Sequence, residues 1–145
     1  MFDAIIILVD NTPPPLATGF GTGGEQWVLT AQPDRGRLRV MVRVTERNGN
    51  TWTSGSGGRP LPPGQRIATF VGRSGPSAHL VIVRVAPDVR AVVATLSDGS
   101  REDLRLHGDA GLLGVRIAVL VYPAELDLHR LEMLDQQGNE LPDTI

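Results

Sequence analysis

The sequence predicts an all-β fold, a two-sheet antiparallel sandwich of immunoglobulin-like kind with about eight short strands. Residues 37–47 carry the clearest signal. Leu38, Val40, Val42 and Val44 point one way, and Arg37, Arg39, Met41, Arg43 and Thr45 point the other. A period of two with one apolar face is the mark of a half-buried strand. Turn chemistry then recurs between short apolar runs, at Asp34-Arg35-Gly36, Asn48-Gly49, Ser74-Gly75-Pro76, Pro87-Asp88 and Asp98-Gly99, as an all-β chain requires. Helical spacing is confined to Leu128, Leu131 and Leu134, where Pro123 could open a helix. The alternation of Leu131 with Met133 favours a strand over 129–135 instead.

In chain order, the run Ile5-Ile6-Ile7-Leu8-Val9 predicts a strand over 4–9. Asp10-Asn11 and Pro13-Pro14-Pro15 cut it off, because consecutive prolines are extended and cannot donate to a ladder. Residues 1–18 therefore read as an N-terminal strand and proline-rich linker, and 19–145 as the sandwich body of a single domain over 1–145. Gly19 to Gly24 reads as a flexible loop before a strand at 26–31. Trp52 precedes a glycine- and proline-rich stretch, 54–64, read as the longest loop. Further strands are expected at 65–71, 78–85, 89–96, 101–106 and 114–122. A two-residue loop at Asp98-Gly99 would set Val93 opposite Leu104 and Ala91 opposite Leu106.

A chain of 145 residues suffices for one core without a metal or disulfide staple. Cysteine is absent, which excludes thiol catalysis, disulfides and thiolate metal sites. Every one of the 14 basic residues is arginine, a bias that points to a GC-rich coding genome. The acids are interspersed with them and the net charge is −2, which argues against a general nucleic-acid or polybasic membrane surface. The apolar start carries Asp3, lacks a basic leader and is too short to span a bilayer. A cytoplasmic location without a membrane span is the expectation.

Three segments carry a family resemblance: Gly23-Gly24-Glu25-Gln26-Trp27-Val28-Leu29-Thr30-Ala31, Arg90-Ala91-Val92-Val93-Ala94-Thr95-Leu96-Ser97-Asp98-Gly99-Ser100, and Leu134-Asp135-Gln136-Gln137-Gly138-Asn139-Glu140. Together they resemble an uncharacterised family of immunoglobulin-like β-sandwich domains from high-GC Gram-positive bacteria, over Gly19 to Leu141. The resemblance implies the sandwich fold and brings no catalytic residues. Its members often sit outside a membrane and carry cysteines in the middle segment, which this chain lacks.

Chemically, Gly19, Gly21 and Gly24 spell G-x-G-x-x-G. A dinucleotide site needs that motif between a strand and a helix, whereas a strand follows here, so a loop is expected. His79, His107 and His129 stand on different strands without ligand spacing, although Asp109 is close to His107. Ser74 lacks the nucleophile-elbow pattern. Trp27 suits a sandwich core, while Trp52 is expected to be exposed and able to stack on a sugar or anchor a partner. Arg37, Arg39 and Arg43 form a row with about 6.6–6.8 Å per two positions, fit for phosphate or carboxylate unless cross-strand acids such as Glu25 balance it. No catalytic residue, metal site or cofactor is expected. The expected function is a non-catalytic binding module for a protein partner, or for self-association through the N-terminal strand. A carbohydrate or small-ligand binder is the alternative and an enzyme the third possibility.

Overall fold

The computed structural model describes residues 14–72, 78–109 and 112–145. It is all-β and antiparallel, as expected. The strands are β1 (Ala17–Phe20), β2 (Gln26–Asp34), β3 (Arg37–Thr45), β4 (Thr51–Ser56), β5 (Ile67–Gly72), β6 (Ala78–Val85), β7 (Ala91–Leu96), β8 (Arg101–Leu104), β9 (Arg116–Pro123), β10 (Leu128–Leu134) and β11 (Glu140–Leu141). Among the described residues there are eleven of them rather than about eight. Residues 123–135 contribute β10, the strand expected over the helix. The strand foreseen at 4–9 and the turn around Ser74 lie outside the described residues. No helix among the described residues is long and apolar enough to cross a membrane.

The strands form three sheets rather than two, in the orders β1-β2-β3-β4, β5-β6-β9 and β11-β10-β7-β8. The three-stranded sheet lies between the others. Leu80 and Ile82 on β6 and Ile117, Val119 and Val121 on β9 join the first core with Leu29, Leu38, Val40, Val42 and Val44. The residues between them, Val81, Val83, Ala118, Leu120 and Tyr122, join the second core with Val92, Ala94, Leu96 and Met133. A sheet apolar on both faces reads as a continuous apolar run instead of an alternation, which is how β6 and β9 read in the sequence. Single bridges, His107 to Ile117 and Gln65 to Thr144, stitch the edges of the middle sheet to those of the β7-β10 sheet. The second core is thereby nearly encircled, and fewer edges stay open to stray pairing.

The pattern of β3 is borne out in full: Leu38, Val40, Val42 and Val44 are wholly buried, and Arg37, Arg39 and Arg43 are exposed. The Asp98-Gly99 register is not. Val92, not Val93, lies opposite Leu104, because the loop has three residues. Leu96 N–H donates to Ser100 O, Gly99 N–H donates to Leu96 O, and Gly99 takes φ +86°. This is a turn closed by a left-handed glycine bulge, and the extra residue shifts the partner by one. Ser100 contributes a hydroxyl and an amide to the Asp98 carboxylate and holds its pKa below the usual value. Arg35-Gly36, by contrast, is a true two-residue loop, with Asp34 opposite Arg37 and positive φ at both residues.

Candidate functional site: an arginine-bearing end of the sandwich

The β3 arginines face strands with little charge to offer them. Arg39 lies opposite Gln32 on β2, and Arg43 opposite Val28 on β2 and Thr53 on β4. Arg37 lies opposite Asp34, whose carboxylate reaches Arg35 at 4.0 Å. Glu25, the acid expected to balance the row, is instead turned inward and 6% exposed, accepting a hydrogen bond from Gly23 N–H. Among the described residues no ion pair holds Arg37, Arg39 or Arg43. A cleft of about 290 Å³ runs past Arg37 and Arg39 to Gly57 and Gly58.

Gly57 also lines a second cleft, of about 340 Å³, whose other lining residues include Arg59, Pro62, Phe70, Ile82 and Arg84. It opens where β4 and β5 part company. The two strands are tight at one point, where a Cβ on Gly72 would come within 2.6 Å of Ser54 Oγ. Beyond it the chain from Ser56 swings away through Gly57 and Gly58, the latter at φ +127°.

Arg84 occupies the face of β6 that Leu80 and Ile82 turn to the first core, and it is 5% exposed. Its Nη1 donates to Arg59 O at 3.0 Å. Its Nη2 donates to Leu38 O and Ser56 O, both at 3.2 Å, and to Ser56 Oγ at 3.1 Å. The guanidinium thus ties together the ends of β3 and β4 and the loop after them. A guanidinium carries five N–H groups. The Nε–H and one Nη1 proton have no acceptor among the described residues, and no carboxylate lies within ion-pair distance. Burial pushes the Arg84 pKa down from its ordinary value. Arg59, on the loop, is exposed.

The other candidates take structural roles. Trp52 is half-buried rather than an open platform: it packs against the first core, and its Nε1–H donates to the buried Glu46 at 2.6 Å. Trp27 is in the core, as expected, with its ring over Gly19, where a Cβ would sit 2.4 Å from Cζ2. Gly21 to Gly24 close a tight turn into β2, with Gly21 N–H donating to Glu25 O and Gly24 N–H to Gly21 O. A strand follows the glycine motif, which excludes a pyrophosphate cradle at a helix N-terminus. The histidines are dispersed. His79 packs on Tyr122 of the second core with ring centroids 5.2 Å apart, His107 stands edge-on to Trp27 in the first core at 6.0 Å, and His129 is exposed.

Arg59 and Arg84 were not foreseen as site residues. Arg84 does leave a trace in the sequence, being the one charged residue in the run from Leu80 to Val85. A charge inside a strand buried on both faces needs a special environment. Comparison with family models, with curated proteins and with solved structures finds no match to this chain.

Proposed function

We propose that this chain is a non-catalytic interaction module that recognises an acidic segment of a protein partner at its arginine-bearing end. The observation that carries the reading is the placing of Arg37, Arg39, Arg59 and Arg84 on two neighbouring clefts, both lined by Gly57. The three exposed members have no ion pair among the described residues. Free arginines in a concave setting attract carboxylates by charge and hold them by paired N–H groups. Complementary charge chiefly sets the association rate and the choice of partner.

The test is direct binding of acidic and neutral peptides of equal length, at low and at high salt. Acidic peptides are expected to bind, and to weaken as the Debye length shortens from about 10 Å at 0.1 M salt to about 3 Å at 1 M. The double variant Arg37→Glu, Arg39→Glu is expected to fold normally, since both side chains are exposed, and to lose that binding. Equal affinity for acidic and neutral peptides would sink the reading, as would full affinity in the double variant.

A further inference from the structure

We infer that the Arg84 cleft is the anchor of this face: a socket for the C-terminus of a protein chain whose last residue is apolar. The inference rests on the proposed function and specifies how that face would hold its partner. Arg84 has a Nε–H and a Nη1–H without acceptors among the described residues, and it is one of the residues that line the cleft. Among the described residues its positive charge is met by carbonyl and hydroxyl oxygens alone. Those oxygens satisfy hydrogen bonds but do not neutralise a cation, and a buried charge without a counter-ion is costly. A carboxylate entering the cleft would supply both the missing charge and the missing acceptors.

The rest of the lining selects what carries that carboxylate. Phe70, Ile82, Pro62 and Pro63 are apolar, and Ser56 and Thr69 are the neutral polar neighbours. The volume, about 340 Å³, lies at the lower end of the roughly 300–1,000 Å³ typical of ligand sites. It suits one apolar side chain with its terminal carboxylate, and capture of a chain end is an established mode of peptide recognition. A free organic acid would use the same chemistry. The chain end is favoured because a second cleft lies beside this one, Gly57 lining both. Arg37 and Arg39 line that second cleft, where acidic side chains preceding the terminus would find cations.

The experiment observes the Arg84 Nε–H resonance of the intact protein by NMR, assigned with an Arg84→Lys variant. Three short N-acetylated acidic peptides are titrated: one ending in leucine with a free carboxylate, its C-terminal amide, and one ending in glycine with a free carboxylate. Phenylacetate is titrated as the free acid. The leucine acid is expected to shift the resonance saturably. The amide, the glycine peptide and phenylacetate are each expected to bind at least about tenfold more weakly, a difference of about 1.4 kcal/mol.

An equally tight amide overturns the carboxylate–Arg84 contact, and an equally tight glycine peptide overturns the apolar socket. Equal binding of phenylacetate overturns the chain end in favour of a small acid. Because the wild-type resonance is the readout, an Arg84→Lys protein that folds poorly does not blunt the test; the peak is then assigned by through-bond correlation along the Arg84 side chain. If acidic peptides still bind through Arg37 and Arg39 while the Arg84 signal stays still, the proposed function survives and the anchor does not.

Discussion

Arg66 and Arg84 are both buried, 9% and 5% exposed, and the fold accommodates them in opposite ways. Arg66, just before β5, meets a carboxylate: its Nε–H donates to both oxygens of Asp88, at 3.0 and 3.3 Å. Its Nη1 donates to Pro142 O and Thr144 O, pinning the segment after β11 to the second core. Arg84 makes as many hydrogen bonds, all to uncharged oxygens. A hydrogen-bond census would judge the two equally satisfied, and a charge census would not. Arg66 is a finished structural staple, whereas Arg84 keeps a positive charge and unused donors beside an open cleft. A buried, uncompensated charge in a cleft marks a candidate binding site.

The two arginines therefore differ in what their removal costs. Arg66→Met strands the acceptors of the C-terminal segment and leaves Asp88 without its cation. It is expected to lower stability by about 3 kcal/mol, the sum of lost charged hydrogen bonds at about 1.5–3 kcal/mol each, discounted for the exposure of Asp88. Chemical denaturation would measure it. Arg84→Met is expected to cost less, about 2 kcal/mol, although Arg84 is the more buried. Its removal strands no counter-charge, and water in the cleft can reach the carbonyls it leaves. A larger loss for Arg84→Met than for Arg66→Met would mean that Arg84 is simply another staple.

The same contrast explains how much could be read in advance. β3 was legible to the residue because one face is solvent and the other core, so the period of two survives intact. The middle sheet was legible as strands but not as a middle layer. Val81, Ile82 and Val83 on β6 are buried in turn against two different cores, and a continuous apolar run does not say how many layers cover it. β1 and β4 were hidden by their glycines. Gly19 is small so that Trp27 can lie over it, and Gly55 because a Cβ there would come 2.1 Å from Val40 O. Both glycines mark close packing, though in sequence they look like loop.

The site divides likewise. The Arg37, Arg39 and Arg43 row follows from strand period alone. Arg59 and Arg84 meet it only through the path of the chain after β4, which periodicity does not encode. Trp52 misled because its neighbours are glycines and serines, while its fixed position comes from Glu46, six residues earlier across a hairpin.

The Asp88 partner offers a finer cut through the same comparison. Asp88 is 53% exposed at its side chain, so water already screens part of its attraction for Arg66. Asp88→Asn keeps an oxygen to accept from Arg66 and removes only the charge. Its expected cost is about 1 kcal/mol, well below that of Arg66→Met. Thermal or chemical denaturation of the two variants side by side separates charge from hydrogen bonding at the staple. Equal losses would show that the carboxylate's charge, not the arginine's reach to the C-terminal segment, dominates there.

The smallest effect expected concerns His107, a partly buried titratable group with no ion pair among the described residues. Burial lowers its pKa from the ordinary value, and the nearby charge of Arg105 lowers it further. Its backbone is fixed by reciprocal hydrogen bonds with Ile117 and its ring by Trp27, so it cannot swing out to solvent without disturbing the seam between sheets. The folded state therefore favours neutral imidazole. Below the unfolded value of about 6.5, and down to the lower folded value, the unfolded chain binds more protons than the folded one. Stability then falls as pH falls. The contribution is fully present above that unfolded value and is withdrawn as acidification proceeds through the window beneath it. His107→Gln keeps a neutral polar side chain of similar reach and cannot titrate. Between pH 7 and 5 the wild type is expected to lose more stability than His107→Gln, the carboxylates common to both cancelling in the difference. Parallel stability curves would mean that His107 titrates alike in both states and that its burial against Trp27 costs the charged form nothing.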